Sequence, residues 1–195
     1  MPREDWPETT PEKIFGSTFP HGEIKTVLDV GCGLSVKSQY IECDWITALD
    51  IHWPYLRQAR WQVTRKNITY VHANAMSIDD LFLPESFDLV LLQDVIEHFE
   101  KEDGWKLLTM AMRLAKKAMF VSTPLGFFPQ NIDTWELGGD EWQTHRSAWY
   151  PGDFEKIGFY VKVRSYEPAQ VSRHTDPAMT QYGEIRMIDA MWIKH

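Results

Sequence analysis

Short apolar runs alternate with amphipathic stretches along most of this chain, and that alternation predicts an α/β domain around a mainly parallel sheet. Seven runs read as strands, over residues 26–30, 46–50, 68–72, 87–92, 117–122, 159–165 and 185–193. Residues 53–65 open with Trp53-Pro54 and set Leu56, Ala59 and Val63 on one face, which predicts a helix with proline in its first turn. Residues 102–116 place Trp105, Leu108, Met112 and Ala115 on one stripe, with Lys116 and Lys117 at the negative end of the helix macrodipole. A short helix over 151–157 begins at Pro151, takes Gly158 as its C-cap and feeds the strand that starts at Phe159.

Three segments break this rhythm. Residues 1–22 are rich in Pro, Glu and Thr and read as a partly ordered lead-in, with Ile14-Phe15 starting a helix after Thr10-Pro11-Glu12. Residues 123–150 are dense in Phe, Trp, Gly and Pro; a long irregular insertion is usually functional or disordered, and the aromatic content argues against disorder. Residues 168–183 are polar and rich in breakers, so an exposed, mobile loop is expected there. One domain over 23–195 follows the lead-in.

Composition narrows the class. At 195 residues, 44% hydrophobic and 25% charged, the chain suits one globular domain with a full core. It has no apolar run of membrane-spanning length and no secretory leader, so a soluble cytoplasmic protein is expected, with no membrane partner. Cys32, in a glycine turn, and Cys43, expected in the following helix, lack metal-site spacing and read as reduced packing residues. A formal net charge of −8 repels polyanions, which makes nucleic acid an unfavoured partner. The basic groups Arg57, Arg60, Arg65 and Lys66, and Lys116 and Lys117, read as solvated helix faces or ends.

The chemistry concentrates in Val27-Leu28-Asp29-Val30-Gly31-Cys32-Gly33-Leu34-Ser35, answered by Asp50 at the end of the next apolar run. Gly31 and Gly33 let a buried strand turn sharply and let backbone N–H groups approach a ligand without Cβ interference. An acid after the second strand can accept from both ribose hydroxyls, so the pair reads as a nucleoside-cofactor pocket. The third glycine of a dinucleotide fingerprint would fall on Val36, which is too bulky and argues against NAD or FAD. The alternative is purely structural: glycines in a strand-to-helix turn, with Asp29 and Asp50 as helix caps.

Together with Phe87-Asp88-Leu89-Val90 and Asp94-Val95-Ile96-Glu97-His98-Phe99, these residues resemble the class I S-adenosylmethionine-dependent methyltransferases, over roughly residues 24 to 165. The resemblance implies a Rossmann-like, seven-stranded, mostly parallel sheet with helices on both faces and the last strand antiparallel. It implies S-adenosyl-L-methionine as cofactor and S-adenosyl-L-homocysteine as product. Asp29, Gly31, Cys32 and Gly33 would meet the cofactor at the glycine turn. Asp50, with Ile51 beside it, would take the ribose, Asn74-Ala75-Met76 the adenine, and Gln93 the methionine moiety. Two departures stand out: Ser35 replaces the family's last glycine, and Asn74 stands where the family often has Asp. For Asn74 a simple turn role is an open alternative.

Methyl transfer is an in-line displacement at carbon, and alignment of donor and acceptor can supply roughly 7 to 11 kcal/mol of the barrier. His98 and His145 are the general-base candidates, because imidazole titrates near neutrality. Asp94, Glu97 and His98 fall within one helical turn, but the sequence shows no second ligand cluster, so Glu97 reads as a structural carboxylate and no metal is expected. In the insertion, Phe127, Trp142 and Trp149, with Phe128 and Trp135, read either as a lid over an acceptor or as a secondary core, and Arg146 either as an acceptor-anion ligand or as part of a solvated turn. The expected function is methylation of an oxygen or nitrogen on a small or medium-sized acceptor by a monomer or weak homodimer. RNA or protein methylation, and a non-catalytic cofactor-binding module, are the alternatives. All of this requires room for a nucleoside at the glycine bend beside Asp50.

Overall fold

The central strand β4 (Phe87–Gln93) is buried from Phe87 to Leu92, as a near-continuous apolar run in a parallel sheet should be. In the computed structural model, which describes residues 10–20, 24–35, 37–166 and 185–194, it pairs in parallel with β1 (Thr26–Val30) and β5 (Ala115–Pro124). β1 also pairs in parallel with β2 (Trp45–Asp50), and β2 with β3 (Ile68–His72). β7 (Ile185–Ile193) inserts antiparallel between β5 and β6 (Tyr160–Tyr166), completing the order β3-β2-β1-β4-β5-β7-β6. The seven-stranded, mostly parallel sheet with an antiparallel last strand is therefore as expected.

Helices cover both faces. Six are found among the described residues: α1 (Pro11–Phe15), α2 (Trp53–Gln62), α3 (Ile78–Leu81), α4 (Lys101–Leu114), α5 (Asp140–Gln143) and α6 (Pro151–Glu155). Because side chains alternate along a strand, Leu28, Val30, Val90 and Leu92 pack on one side with Leu107, Leu108, Ala111 and Leu114 of α4 and Phe154 of α6. Val27, Ile46, Leu89, Leu91 and Phe120 pack on the other with Ile14 and Phe15 of α1, Phe19 and Ile41. The apolar stretch of the lead-in is thus built into the core, and Lys162 Nζ ties it to β6 through the Ile14 carbonyl at 2.6 Å.

The first crossover departs from expectation. Between β1 and β2 the described residues form no α-helix, only a 3₁₀ turn at Ser38–Tyr40, and Cys43 sits in the bend before β2. The glycine turn extends through Ser35, which adopts a left-handed φ of +52°, and little chain is left before Trp45 opens β2. Arg65, expected on a solvated face, instead donates to the Ile41 and Cys43 carbonyls and pins the returning segment. Smaller shifts occur at element ends: α2 stops at Gln62, α4 at Leu114, and β5 runs from Ala115 through Pro124. The expected loop 168–183 lies outside the described residues.

The sheet places the site. β1 leads outward to β2 and β3 on one side and neighbours β4 on the other, so the loops at the carboxyl ends of β1 and β4 face each other at a topological switch point, where α/β folds bind ligands.

Candidate active site

At that switch point Gly31 and Gly33 follow β1 with φ of +66° and +51°, a region that disfavours residues with a Cβ. A Cβ on Gly31 would meet Val95 Cγ2 at 2.7 Å, so the glycine lets the turn after β1 close against the loop after β4. Asp50, at the end of β2, is buried; its Oδ2 accepts from Gly33 N at 2.8 Å and its Oδ1 from His52 N at 2.8 Å. Both carboxylate oxygens therefore already hold backbone, which makes Asp50 the organiser of the glycine turn as well as its neighbour. Burial raises the Asp50 carboxyl despite those two donors. Asp29 is also buried, and burial pushes its carboxyl up to about 7, with the nearby Ser38 hydroxyl opposing and the charge of Asp50 reinforcing. Burial likewise raises the Cys32 thiol, so it is no nucleophile.

Ile51 follows β2, and its carbonyl accepts from His72 Nε2 at 2.8 Å. After β3, Asn74 caps a 3₁₀ turn that starts at Ala75: its Oδ1 accepts from Met76 N at 2.9 Å, the turn role left open above. Gln93 ends β4 opposite Ser122 of β5.

The insertion after β5 folds back over the glycine turn. Asp133 builds its tip by accepting from Trp135 N at 2.9 Å, Leu137 N at 2.7 Å and Gly139 N at 3.0 Å. The tip is anchored to the body where His52 Nε2 donates to the Leu137 carbonyl at 2.9 Å, and where Trp135 meets Tyr55 of α2 edge-to-face with centroids 4.8 Å apart. Trp135 thereby reaches Gly33: a Cβ there would lie 2.5 Å from Trp135 Cη2. The bend beside Asp50, expected to stand open, is covered by this indole. Asp133 and Trp135 carry the closure, and Trp135 was legible only as one aromatic among several; an Asp two residues before a Trp, ahead of Gly138-Gly139, is the turn signal that marks the tip.

A second constellation forms under the same insertion. Asp94 takes a left-handed φ of +55°, and its Oδ2 pairs with Lys37 Nζ at 2.5 Å. Burial acts to raise the Asp94 carboxyl, but the Lys37 ammonium wins and holds it below the usual carboxylate range. Ile96–His98 is a 3₁₀ turn that turns Glu97 inward, where it is 2% exposed. Its Oε2 accepts from Thr123 Oγ1 at 2.9 Å, whereas its Oε1 is buried without a hydrogen-bond partner. Burial, and then the charge of Asp94, push the Glu97 carboxyl up.

The backbone of Glu97 also receives Arg146 N at 2.7 Å and Ser147 N at 3.1 Å, which brings His145 onto His98 with ring centroids 4.8 Å apart. Burial lowers both imidazoles, His98 to about 4, so each is neutral at pH 7. The sequence separated these groups too widely for their meeting to be read: the cluster needed a residue from the far end of the insertion.

Two predicted acceptor contacts are placed otherwise. Trp149 is wholly buried; it packs on Phe154 and Trp105, with Lys101 Nζ 3.5 Å from its ring centroid, so it supports the insertion from the core and does not face an acceptor. Arg146 spends its guanidinium on the carbonyls of His98, Thr144 and Glu141, at 2.7 to 3.0 Å, and braces the loop. Phe127 and Trp142 are exposed on the insertion.

Residues 28–121 match the family described as methyltransferase domain. Over these residues the chain carries a methyltransferase domain, and its fold is that of the class I, S-adenosylmethionine-dependent kind. No curated protein matches this methyltransferase in sequence. Among solved structures, it is similar to a phosphoethanolamine N-methyltransferase 2 of Haemonchus contortus solved with phosphomonomethylethanolamine and S-adenosylhomocysteine (TM-score 0.63, 18% identity, covering 93% of this chain and 51% of that one). It is similar to a SAM dependent methyltransferase from Archaeoglobus fulgidus (TM-score 0.56, 17% identity, 87% of each chain). A magnesium protoporphyrin IX methyltransferase from Synechocystis with bound SAH also resembles it (TM-score 0.54, 19% identity, 87% and 74%). At these identities the likeness is one of fold. The chain spans about half the length of the Haemonchus protein. Among the described residues no helix is long and apolar enough to cross a membrane.

Proposed function

We propose that this methyltransferase transfers the cofactor's methyl group to an oxygen or nitrogen of a small or medium-sized acceptor held beneath its own insertion. The observation that carries the reading is the path of residues 125–149, which lay Trp135 on Gly33 and His145 beside His98, so that one loop roofs both the cofactor turn and the acceptor side. A roof of this kind excludes water and favours an acceptor of limited size. The net charge of −8 weighs against an RNA substrate.

In this reading Gly31, Cys32 and Gly33 bring backbone to the cofactor, and Asp50 holds that turn in shape while its carboxylate receives the ribose. Asp29 lies toward the amino group, Asn74, Ala75 and Met76 toward the adenine, and Gln93 toward the methionine tail. Phe127 and Trp142 offer flat surfaces at the rim. Glu97, His98 and His145 stand together on the acceptor side. The acceptor attacks the methyl carbon as the carbon–sulfur bond breaks, and S-adenosylhomocysteine leaves with the electron pair on sulfur.

Incubation with methyl-labelled cofactor and fractionated metabolites, followed by mass identification, tests the reading. A labelled small molecule is expected; label found only on RNA or protein would overturn it.

A further inference from the structure

We infer that Glu97, His98 and His145 form a binding site for one divalent transition-metal ion, whose open positions take an oxygen of the methyl acceptor. The inference concerns the acceptor side and rests on the small-acceptor reading only in its second half. Its first half stands on the geometry of the three side chains.

Each of the three offers one ligand atom, and these atoms lie within 4.8 Å of one another. Two imidazoles and one carboxylate form a mixed nitrogen and oxygen set that suits Mn²⁺, Fe²⁺, Co²⁺ or Zn²⁺ and leaves coordination positions open. The hydrogen bonds around the cluster have the form expected of metal ligands. His145 Nδ1 lies 2.6 Å from the Phe128 carbonyl and His98 Nδ1 lies 3.3 Å from that of Thr144, so each ring donates from Nδ1 and carries its lone pair on Nε2. Thr123 fixes one oxygen of Glu97, which leaves the other for a ligand.

Glu97 Oε1 is buried with no partner, on a side chain only 2% exposed. A buried carboxyl oxygen left without a partner is costly, and a bound cation removes that cost. The Glu97 carbonyl meanwhile receives Arg146 N and Ser147 N, so the segment carrying His145 is fastened directly to the turn carrying the other two ligands. The three donors are held by backbone bonds from two loops, as a preorganised site requires. Asp94, paired with Lys37, stays outside the ligand set.

The chemical consequence is specific. An acceptor hydroxyl bound to the ion loses its proton to solvent more readily, because the cation stabilises the alkoxide. That oxygen forms the new bond to the methyl carbon, the carbon–sulfur bond breaks, and neutral thioether departs. The histidines then act as ligands and neither takes the proton.

The test uses the full chain after chelator treatment and dialysis. Co²⁺ titration, followed by visible d–d absorption and by calorimetry, is expected to show one ion bound per chain. Glu97→Gln and His145→Ala should each weaken binding at least about tenfold, as loss of a ligand must if loss of an outer-shell partner already costs that much. His72→Ala should leave the affinity unchanged. Should either ligand variant fail to fold, NMR of the parent must show Zn²⁺ shifting the imidazole signals of His98 and His145 ahead of the other histidines. Absence of stoichiometric binding, or binding that Glu97→Gln and His145→Ala leave intact, overturns the site. A parent that binds Co²⁺ at these residues yet labels only macromolecules keeps the site and sinks the small-acceptor reading. A chelated parent that labels a small molecule at full rate keeps that reading and overturns the ion's contact with the acceptor.

Discussion

The indole of Trp135 rests on Gly33, with Cη2 and Cζ3 2.5 and 2.8 Å from where a Cβ would stand. The glycine that permits close approach is thus approached by the protein's own side chain, on the surface assigned to the cofactor. Cofactor binding and this contact should exclude each other. S-adenosylhomocysteine is expected to change the tryptophan fluorescence of the parent, and Trp135→Leu should remove most of that change while speeding cofactor association in stopped flow. An identical signal in parent and variant would mean that the indole stays where it is.

Asp50 predicts a joint loss. Its two oxygens hold Gly33 N and His52 N, so Asp50→Ala leaves two backbone donors without their carboxylate. Hydrogen bonds to a charged group contribute about 1.5–3 kcal/mol each, and the variant should be destabilised by several kcal/mol in urea. Cofactor affinity should fall at least tenfold by calorimetry, since both the turn and the ribose partner are altered. Parent-like affinity would remove Asp50 from the cofactor site.

Asp29 predicts a pH dependence with a definite sign. Its carboxyl is raised in the folded state from an ordinary value of 3.8 to about 7, so between those values the folded chain holds a proton that the unfolded chain has released. Stability from this group is therefore fully present below about pH 4 and declines as pH rises toward 7, by up to roughly 4 kcal/mol. Denaturant melts of the parent at pH 5 and pH 8, compared with Asp29→Asn, isolate the effect: the difference between the two proteins should shift in favour of the variant at the higher pH. A difference independent of pH would show that Asp29 ionises normally.

How far the sequence told this in advance depended on where burial speaks. β4 was legible because Phe87 to Leu92 is apolar on both faces apart from Asp88, and β1 and β2 because a buried run ends at a glycine and at an acid. The first crossover was misread as helical: nothing in the pattern says that Ser35 would go left-handed and that Arg65 would tie down Ile41 and Cys43. The meeting of His98 with His145 was out of reach, since it follows from two backbone bonds to the Glu97 carbonyl and not from any local period. Aromatic residues in an irregular stretch look alike in sequence. Trp135 closes over the glycine turn, Trp142 is exposed and Trp149 is core, and only their three-dimensional neighbours separate them.

Trp149 is the case in which that separation is measurable. A Cβ on Gly104 of α4 would lie 2.6 Å from Trp149 Cζ2, so the helix has a notch into which the indole fits. The indole nitrogen donates to Ser147 Oγ at 3.0 Å, two residues beyond His145, and so couples the core to the cluster. Trp149→Ala should cost about 3–5 kcal/mol, the range for removing a buried aromatic. Gly104→Ala should also destabilise, by about 1–3 kcal/mol, because the methyl overpacks a filled site. Combined, the two changes should cost less than their sum, since the alanine methyl enters space the indole has left. Thermal and urea melts of the two single variants and the double variant decide it: strict additivity would place Trp149 outside the notch, and with it the support of the segment that carries His145.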